Sequence, residues 1–230
     1  DIAFAALNNQ TFPIFRNDGG KMFEEITEEC GMRELSRNMS GWGAGLYDFD
    51  NDGWKDLFVT RGHVESLPHA GMVIDQPNTV FRNLGASGRW QALTAEAGLN
   101  ASPPARHRGC AFGDFDGDGR IDVVATAILR PAELWMNRSE NAGNWLDVRP
   151  MGTKSNRDGI GAMVKVVTKA GAQYNHMSTS TGYASSSHMP VHFGLGAERR
   201  AESVEIRWPS GIVQRLRNVA ANRTITVKEA

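Results

Sequence analysis

The chain has 230 residues, 40% hydrophobic and 22% charged, enough apolar material for one large globular unit or two small ones. Lys and Arg number 25 against 26 Asp and Glu, so the formal net charge of −1 offers no long-range attraction to nucleic acid or to an anionic membrane. No apolar run reaches the roughly 18 residues of a membrane-spanning helix, and two cysteines without metal-ligand spacing, Cys30 and Cys110, cannot build a disulfide framework and read most simply as buried thiols.

In chain order, Asp1-Ile2-Ala3-Phe4-Ala5 has the pattern found again at Asp56–Thr60 and Asp122–Thr126, so the chain is expected to begin inside a repeating unit. Phe15-Arg16-Asn17 returns as Phe81-Arg82-Asn83 at an offset of 66 residues, and Asp48-Phe49-Asp50 returns as Asp114-Phe115-Asp116 at the same offset. Strands are predicted at Ala44–Phe49 and Lys55–Thr60, on either side of an acidic loop, and then at Val80–Asn83 and Trp90–Thr94. Val123–Leu129 is apolar without strict alternation, which predicts a strand covered on both faces. Leu134-Trp135-Met136-Asn137 echoes Val80-Phe81-Arg82-Asn83. Short strands in repeated units, with 25 glycines for tight turns, point to blades of a β-propeller. Fewer than three blades are present, so open sheet edges and self-association, or pairing with further blades, are expected.

The repeat stops near residue 145. Residues 139–144 are polar and turn-rich and mark the expected boundary between propeller blades at 1–142 and a second unit at 143–230. In the second unit the strand candidates are Gly159–Thr168, Gln173–Ser178, Ser203–Trp208, Val213–Leu216 and Thr224–Lys228. Val204, Ile206 and Trp208 alternate as a half-buried antiparallel strand does, and Lys169-Ala170-Gly171 and Pro209-Ser210-Gly211 read as turns. The fold class is therefore all-β: a partial propeller followed by a small antiparallel, sandwich-like C-terminal domain.

The two acidic loops carry the chemistry. Asp48-Phe49-Asp50-Asn51-Asp52-Gly53-Trp54-Lys55-Asp56 and Asp114-Phe115-Asp116-Gly117-Asp118-Gly119-Arg120-Ile121-Asp122 both read D-x-D-x-D-G-x-x-D. Carboxylates at positions 1, 3 and 5 of a tight loop can converge, the glycine permits the bend, Trp54 or Arg120 offers a backbone carbonyl, and Asp56 or Asp122 closes the shell. An all-oxygen shell of about 6–8 ligands suits Ca²⁺ better than Mg²⁺, and the absence of His and Cys argues against zinc. Two calcium sites are expected. An EF-hand would need Glu at position 12, where Val59 and Ala125 stand.

These residues resemble FG-GAP/VCBS repeat proteins, whose blades carry such loops between strands. The C-terminal part is similar to the ASPIC/UnbV domain through 155–162, His192-Phe193-Gly194-Leu195-Gly196 and Arg207-Trp208-Pro209-Ser210-Gly211; the pairing resembles cartilage acidic protein-like chains. The resemblance implies calcium ligation by the eight loop aspartates and an exported protein, secreted, at a cell surface or periplasmic. The expected function is a non-catalytic binding, scaffold or adhesion module whose partner is an extracellular protein or glycan. The alternative is a calcium-dependent carbohydrate-active enzyme with its site where the two regions join. It draws on His188 and His192 and on Asn156-Arg157-Asp158, which read more simply as a solvent or structural pair and a polar turn.

Overall fold

The computed structural model describes residues 1–65, 73–187 and 189–230. The first region is three antiparallel sheets in succession. The first has the order β1 (Ile2–Ala3), β2 (Ile14–Asp18), β3 (Met22–Glu25), its β2–β3 hairpin turning on Gly19 and Gly20, both at positive φ. Such a turn matches the twist of the flanking strands. After a short helix, α1 (Met32–Ser36), comes a four-stranded meander of β4 (Gly41–Tyr47), β5 (Asp56–Arg61), β6 (Thr79–Asn83) and β7 (Trp90–Leu93). The third sheet holds β8 (His107–Gly113), β9 (Asp122–Ala127) and β10 (Glu133–Trp135). Both acidic loops are hairpin connections, β4 to β5 and β8 to β9, as their spacing in the sequence predicts. These antiparallel sheets are the propeller-like part of an all-β fold.

Within the first region β5, rather than the predicted 123–129, is the strand buried on both faces among the described residues. All six residues of β5 are buried: Leu57 and Val59 join Phe12, Met32 and Phe81 in the core shared with the first sheet. Phe58, between them in the period-2 alternation, points the other way, into the core with Phe49, Phe112, Ile121 and Val123. At the far side β9 stops at Ala127, and Leu129 lies outside it, 91% exposed and at φ 56°. The central sheet is sandwiched by its neighbours; the third has a neighbouring sheet on one side. Glycines let the sheets approach: a Cβ on Gly45 of β4 would overlap the Phe112 ring. Cys30 and Cys110 are buried and free.

The second region is a two-layer sandwich. One sheet has the order β14 (Val191–Gly196), β11 (Asn144–Met151), β17 (Arg223–Lys228), with β11 and β17 parallel; the other has β13 (Gly171–His176), β12 (Met163–Thr168), β15 (Arg200–Arg207), β16 (Val213–Ala220). Leu146 and Val148 of one sheet, with Phe193 and Leu195, meet Val164, Val166, Val204, Ile206 and Trp208 in a common core. The predicted turns at 169–171 and 209–211 connect β12 to β13 and β15 to β16. Residues 159–162, predicted as strand, form a turn instead, because Gly159 and Gly161 both take positive φ. Strands β11 and β14 were not foreseen: their patterns are broken by Asp, Pro, His and Gly that the structure accommodates at the junction of the two regions.

That junction is intimate. Met189 belongs to the core between the second and third sheets. Ser187 Oγ accepts the amide of Phe112 at 2.9 Å, and Tyr183 packs edge-on against Trp42 with ring centroids 5.1 Å apart.

Candidate metal centres

Both loops fold around their first aspartate. Asp48 accepts the amides of Asp52 (3.0 Å) and Gly53 (2.7 Å) on its two oxygens; Asp114 accepts those of Asp118 (3.1 Å) and Gly119 (2.8 Å) in the same way. Position 5 caps its own turn: Asp52 takes the Trp54 amide at 2.8 Å and Asp118 the Arg120 amide at 2.9 Å. Position 9 ties the loop to a later strand. Asp56 accepts the amides of Phe49 (3.2 Å) and Asn83 (2.8 Å), and Asp122 those of Phe115 (2.8 Å) and Asn137 (2.7 Å). The same network therefore appears twice, built by the same loop positions.

Within it, oxygens of Asp48, Asp50 and Asp56 converge to within 4.8 Å of one another in the first loop, and those of Asp114, Asp116 and Asp118 do so in the second. These clusters could hold a metal ion. Asp52 and Asp122, also expected as ligands, stand outside the two trios. Asp52 is turned to its own capping bond and toward Arg82, and Asp122 holds the amides of Phe115 and Asn137. The side chain of Trp54 is 48% exposed and lies against Gly85, while Arg120 pairs with Asp118 and donates to the Asn137 carbonyl at 3.0 Å.

The donors are hard carboxylate oxygens, and burial in the first loop disfavours their charged forms. Burial, together with the neighbouring carboxylates, pushes the Asp48 carboxyl up to about 8 and that of Asp56 to about 7. A divalent cation fits such a set, since it supplies the charge that burial otherwise denies these groups. Arginines lean on both clusters: Arg82 on Asp50 at 2.6 Å, and Arg138 on Asp116 at 2.6 Å and on Asp118 at 3.2 Å. The Arg138 hydrogen bond holds the exposed Asp116 carboxyl below its ordinary range. A cleft of about 590 Å³ opens beside the first loop, with Asp50, Asp56, Arg82, Trp135 and Arg138 on its walls.

Residues 1–59, including the first loop, match the FG-GAP-like repeat, and residues 152–230 match the ASPIC and UnbV family. Cartilage acidic protein 1 of Xenopus tropicalis is 30% identical over 86% of this chain, and the human protein 29% identical over 94%. The mouse protein is 26% identical over 86%. The chain is homologous to cartilage acidic protein 1. It spans 38% to 40% of the length of these relatives. Its ASPIC and UnbV segment contributes His192, Gly194 and Gly196, which all lie against the first loop of the FG-GAP-like repeat.

His192 is fully occupied there. Its Nδ1 pairs with Asp147 at 2.7 Å and its Nε2 with Asn51 Oδ1 at 2.7 Å, both partners buried. Asn51 is oriented by donating to the Gly119 carbonyl at 3.0 Å, so its Oδ1 faces the ring. His188 lies outside the described residues. Asn156, Arg157 and Asp158 form a polar turn, closed by the Asp158 amide on Asn156 Oδ1 at 2.9 Å. A second cleft, of about 450 Å³, includes His192 and Lys55 but not this turn. Asn51, Asn83, Asn137 and the two arginines went unnoticed as site residues. The recurrence of Asn83 as Asn137 was the signal for the clamp; nothing in the sequence marked Asn51.

Proposed function

We propose that the chain is a non-catalytic binding or scaffold module of an extracellular protein, stiffened by calcium held in its two acidic loops. The ligands in this reading are Asp48, Asp50, Asp52 and Asp56 in one loop and Asp114, Asp116, Asp118 and Asp122 in the other, with backbone oxygens of Trp54 and Arg120. The observation that carries it is the duplicated amide network, which gathers three carboxylates at the same hairpin in two successive sheets. Homology to cartilage acidic protein 1 and the FG-GAP-like match support the same reading. We assign the propeller blades to 1–142 and the sandwich to 143–230, and the partner class to proteins or glycans outside the cell. The enzyme alternative loses its main resource, because both nitrogens of His192 serve the junction.

The deciding experiment is a thermal melt in EDTA, in CaCl₂ and in MgCl₂. Calcium binding to the folded state alone stabilises by about 2.7 kcal/mol at 100 times the dissociation constant, which raises the melting temperature visibly. A rise specific to calcium, lost in Asp116→Ala for one loop and Asp48→Ala for the other, is expected. Equal curves in all three buffers sink the calcium reading.

A further inference from the structure

We propose that the C-terminal sandwich forms one wall of the first acidic loop, so that cation binding there and docking of the sandwich reinforce each other. The inference rests on the calcium reading above and goes beyond it by making one of the two sites a joint property of both regions.

Asn51 is the pivot. It stands at position 4 of the loop, contributes no carboxylate, is 1% exposed, and takes a left-handed φ of 56°. Its carbonyl and both polar atoms of its side chain bond outside the loop. Its carbonyl accepts the Gly196 amide at 2.8 Å, its Oδ1 accepts His192 Nε2, and its Nδ2 donates to the Gly119 carbonyl. His192 is held in turn by Asp147 and stacked on Trp145, with ring centroids 6.5 Å apart. One residue earlier in the loop, the Asp50 carbonyl accepts the amide of Gly143 at 2.9 Å. On the same side Gly194 lies so close that a Cβ would overlap the Asp48 carboxylate. Positions 1, 3 and 4 of the first loop therefore rest directly on β14 and on the residues entering β11.

The second loop is held differently. Its acidic side chains are bonded within the loop, by Arg120 and Arg138 and by the Asn137 amide, with no partner from the sandwich among the described residues. The sandwich reaches it through Trp145, which packs against Gly119. Ionised carboxylates crowded without a cation repel, and Gly194 and Gly196 stand directly against Asp48 and Asn51. A cation that draws the carboxylates together favours the docked sandwich, and by linkage the docked sandwich favours the cation by the same factor.

The test titrates calcium into the whole chain calorimetrically and follows hydrogen exchange at the amides of Val191–Gly196. In the parent, calcium is expected to fill two sites and to slow exchange in β14. Gly194→Ala adds a Cβ against Asp48 without altering any loop residue. Asn51→Gly keeps the positive φ and removes only the side-chain bonds, so it decides the matter if Gly194→Ala does not fold. Each is expected to weaken one site by about tenfold, within the usual range of coupling between sites, and to abolish the calcium effect on β14. Asp116→Asn is expected to remove the other site while β14 still responds. Two parent-like sites in both variants, or a parent whose β14 ignores bound calcium, overturns the coupling. A parent that binds no calcium overturns the calcium reading itself.

Discussion

Asp48 and Asp114 hold the same position in two copies of one loop, yet their surroundings differ. Asp48 is 5% exposed beneath the sandwich, whereas Asp114 is only half-buried. An unfolded chain releases the protons of Asp48 and Asp56 near 3.8, while the fold keeps them up to about 8 and about 7. The folded state then binds more protons across that window. In chelator, stability must fall as pH rises from about 4 to about 8, by on the order of a few kcal/mol. Calcium, which needs the ionised form, should flatten the slope, so its stabilising effect should be larger at pH 8 than at pH 5. Urea midpoints across this range, with and without calcium, measure it; parallel curves would contradict the assignment. Asp48→Asn should be the more stable protein in chelator at pH 8 and should lose the calcium response of its loop.

At the scale of elements, the aspartate at position 9 joins a hairpin loop to the chain at or just beyond the end of the sheet's next strand. The amides of Phe115 and Asn137 both end on the fully buried Asp122. Asp122→Ala leaves two buried donors without acceptors and should cost roughly 2–4 kcal/mol by urea unfolding, even in chelator. A loss confined to calcium-containing buffer would show that the residue acts as a ligand alone and that its two amide bonds do not clamp the fold. The C-terminal end of β17 is anchored by a comparable device. Glu229 accepts three successive amides, from Thr153 (2.8 Å), Lys154 (2.8 Å) and Ser155 (2.7 Å), as well as the hydroxyls of Ser155 and Ser210. These donors favour the carboxylate and hold its pKa well below the ordinary range despite its burial. Its contribution is present above the unfolded pKa of 4.5 and is lost only as the solution becomes strongly acid. Glu229→Gln should speed hydrogen exchange along Arg223–Lys228 while β12 to β13 stays unaffected; unchanged exchange would show that β17 is held by its pairing to β11 alone.

For the whole molecule, the outer edge of β10 pairs with no other strand among the described residues, and Leu134 on it is 59% exposed. Phe4 and Phe23 of the first sheet are similarly exposed, at 50% and 48%. Open strands with apolar neighbours invite pairing with another chain. Sedimentation velocity across a range of concentrations should show reversible self-association, reduced in Leu134→Lys; a strictly monomeric chain would mean that these edges are already blunted. Among the described residues no helix is long and apolar enough to cross a membrane.

The acidic loops were legible because their carboxylates, glycine and spacing are local, and a nine-residue hairpin needs little else to take shape. The duplication was legible for the same reason: each sheet repeats the residues that its own turns and pairings require. The sandwich was legible in part, where Val204, Ile206 and Trp208 alternate, and not where β11 and β14 carry Asp147, His192 and glycines for contacts made far along the chain. The burial of β5 on both faces, the clamp on Asn137 and the role of Asn51 depend on which sheet lies beside which. Asn51 and His192 are 141 residues apart in sequence. By itself the sequence determined that two oxygen-rich hairpins exist and what they are suited to hold. Only the tertiary structure decided that one of them is closed by the C-terminal sandwich, because long-range packing sets the burial and hydrogen-bond partners of each carboxylate.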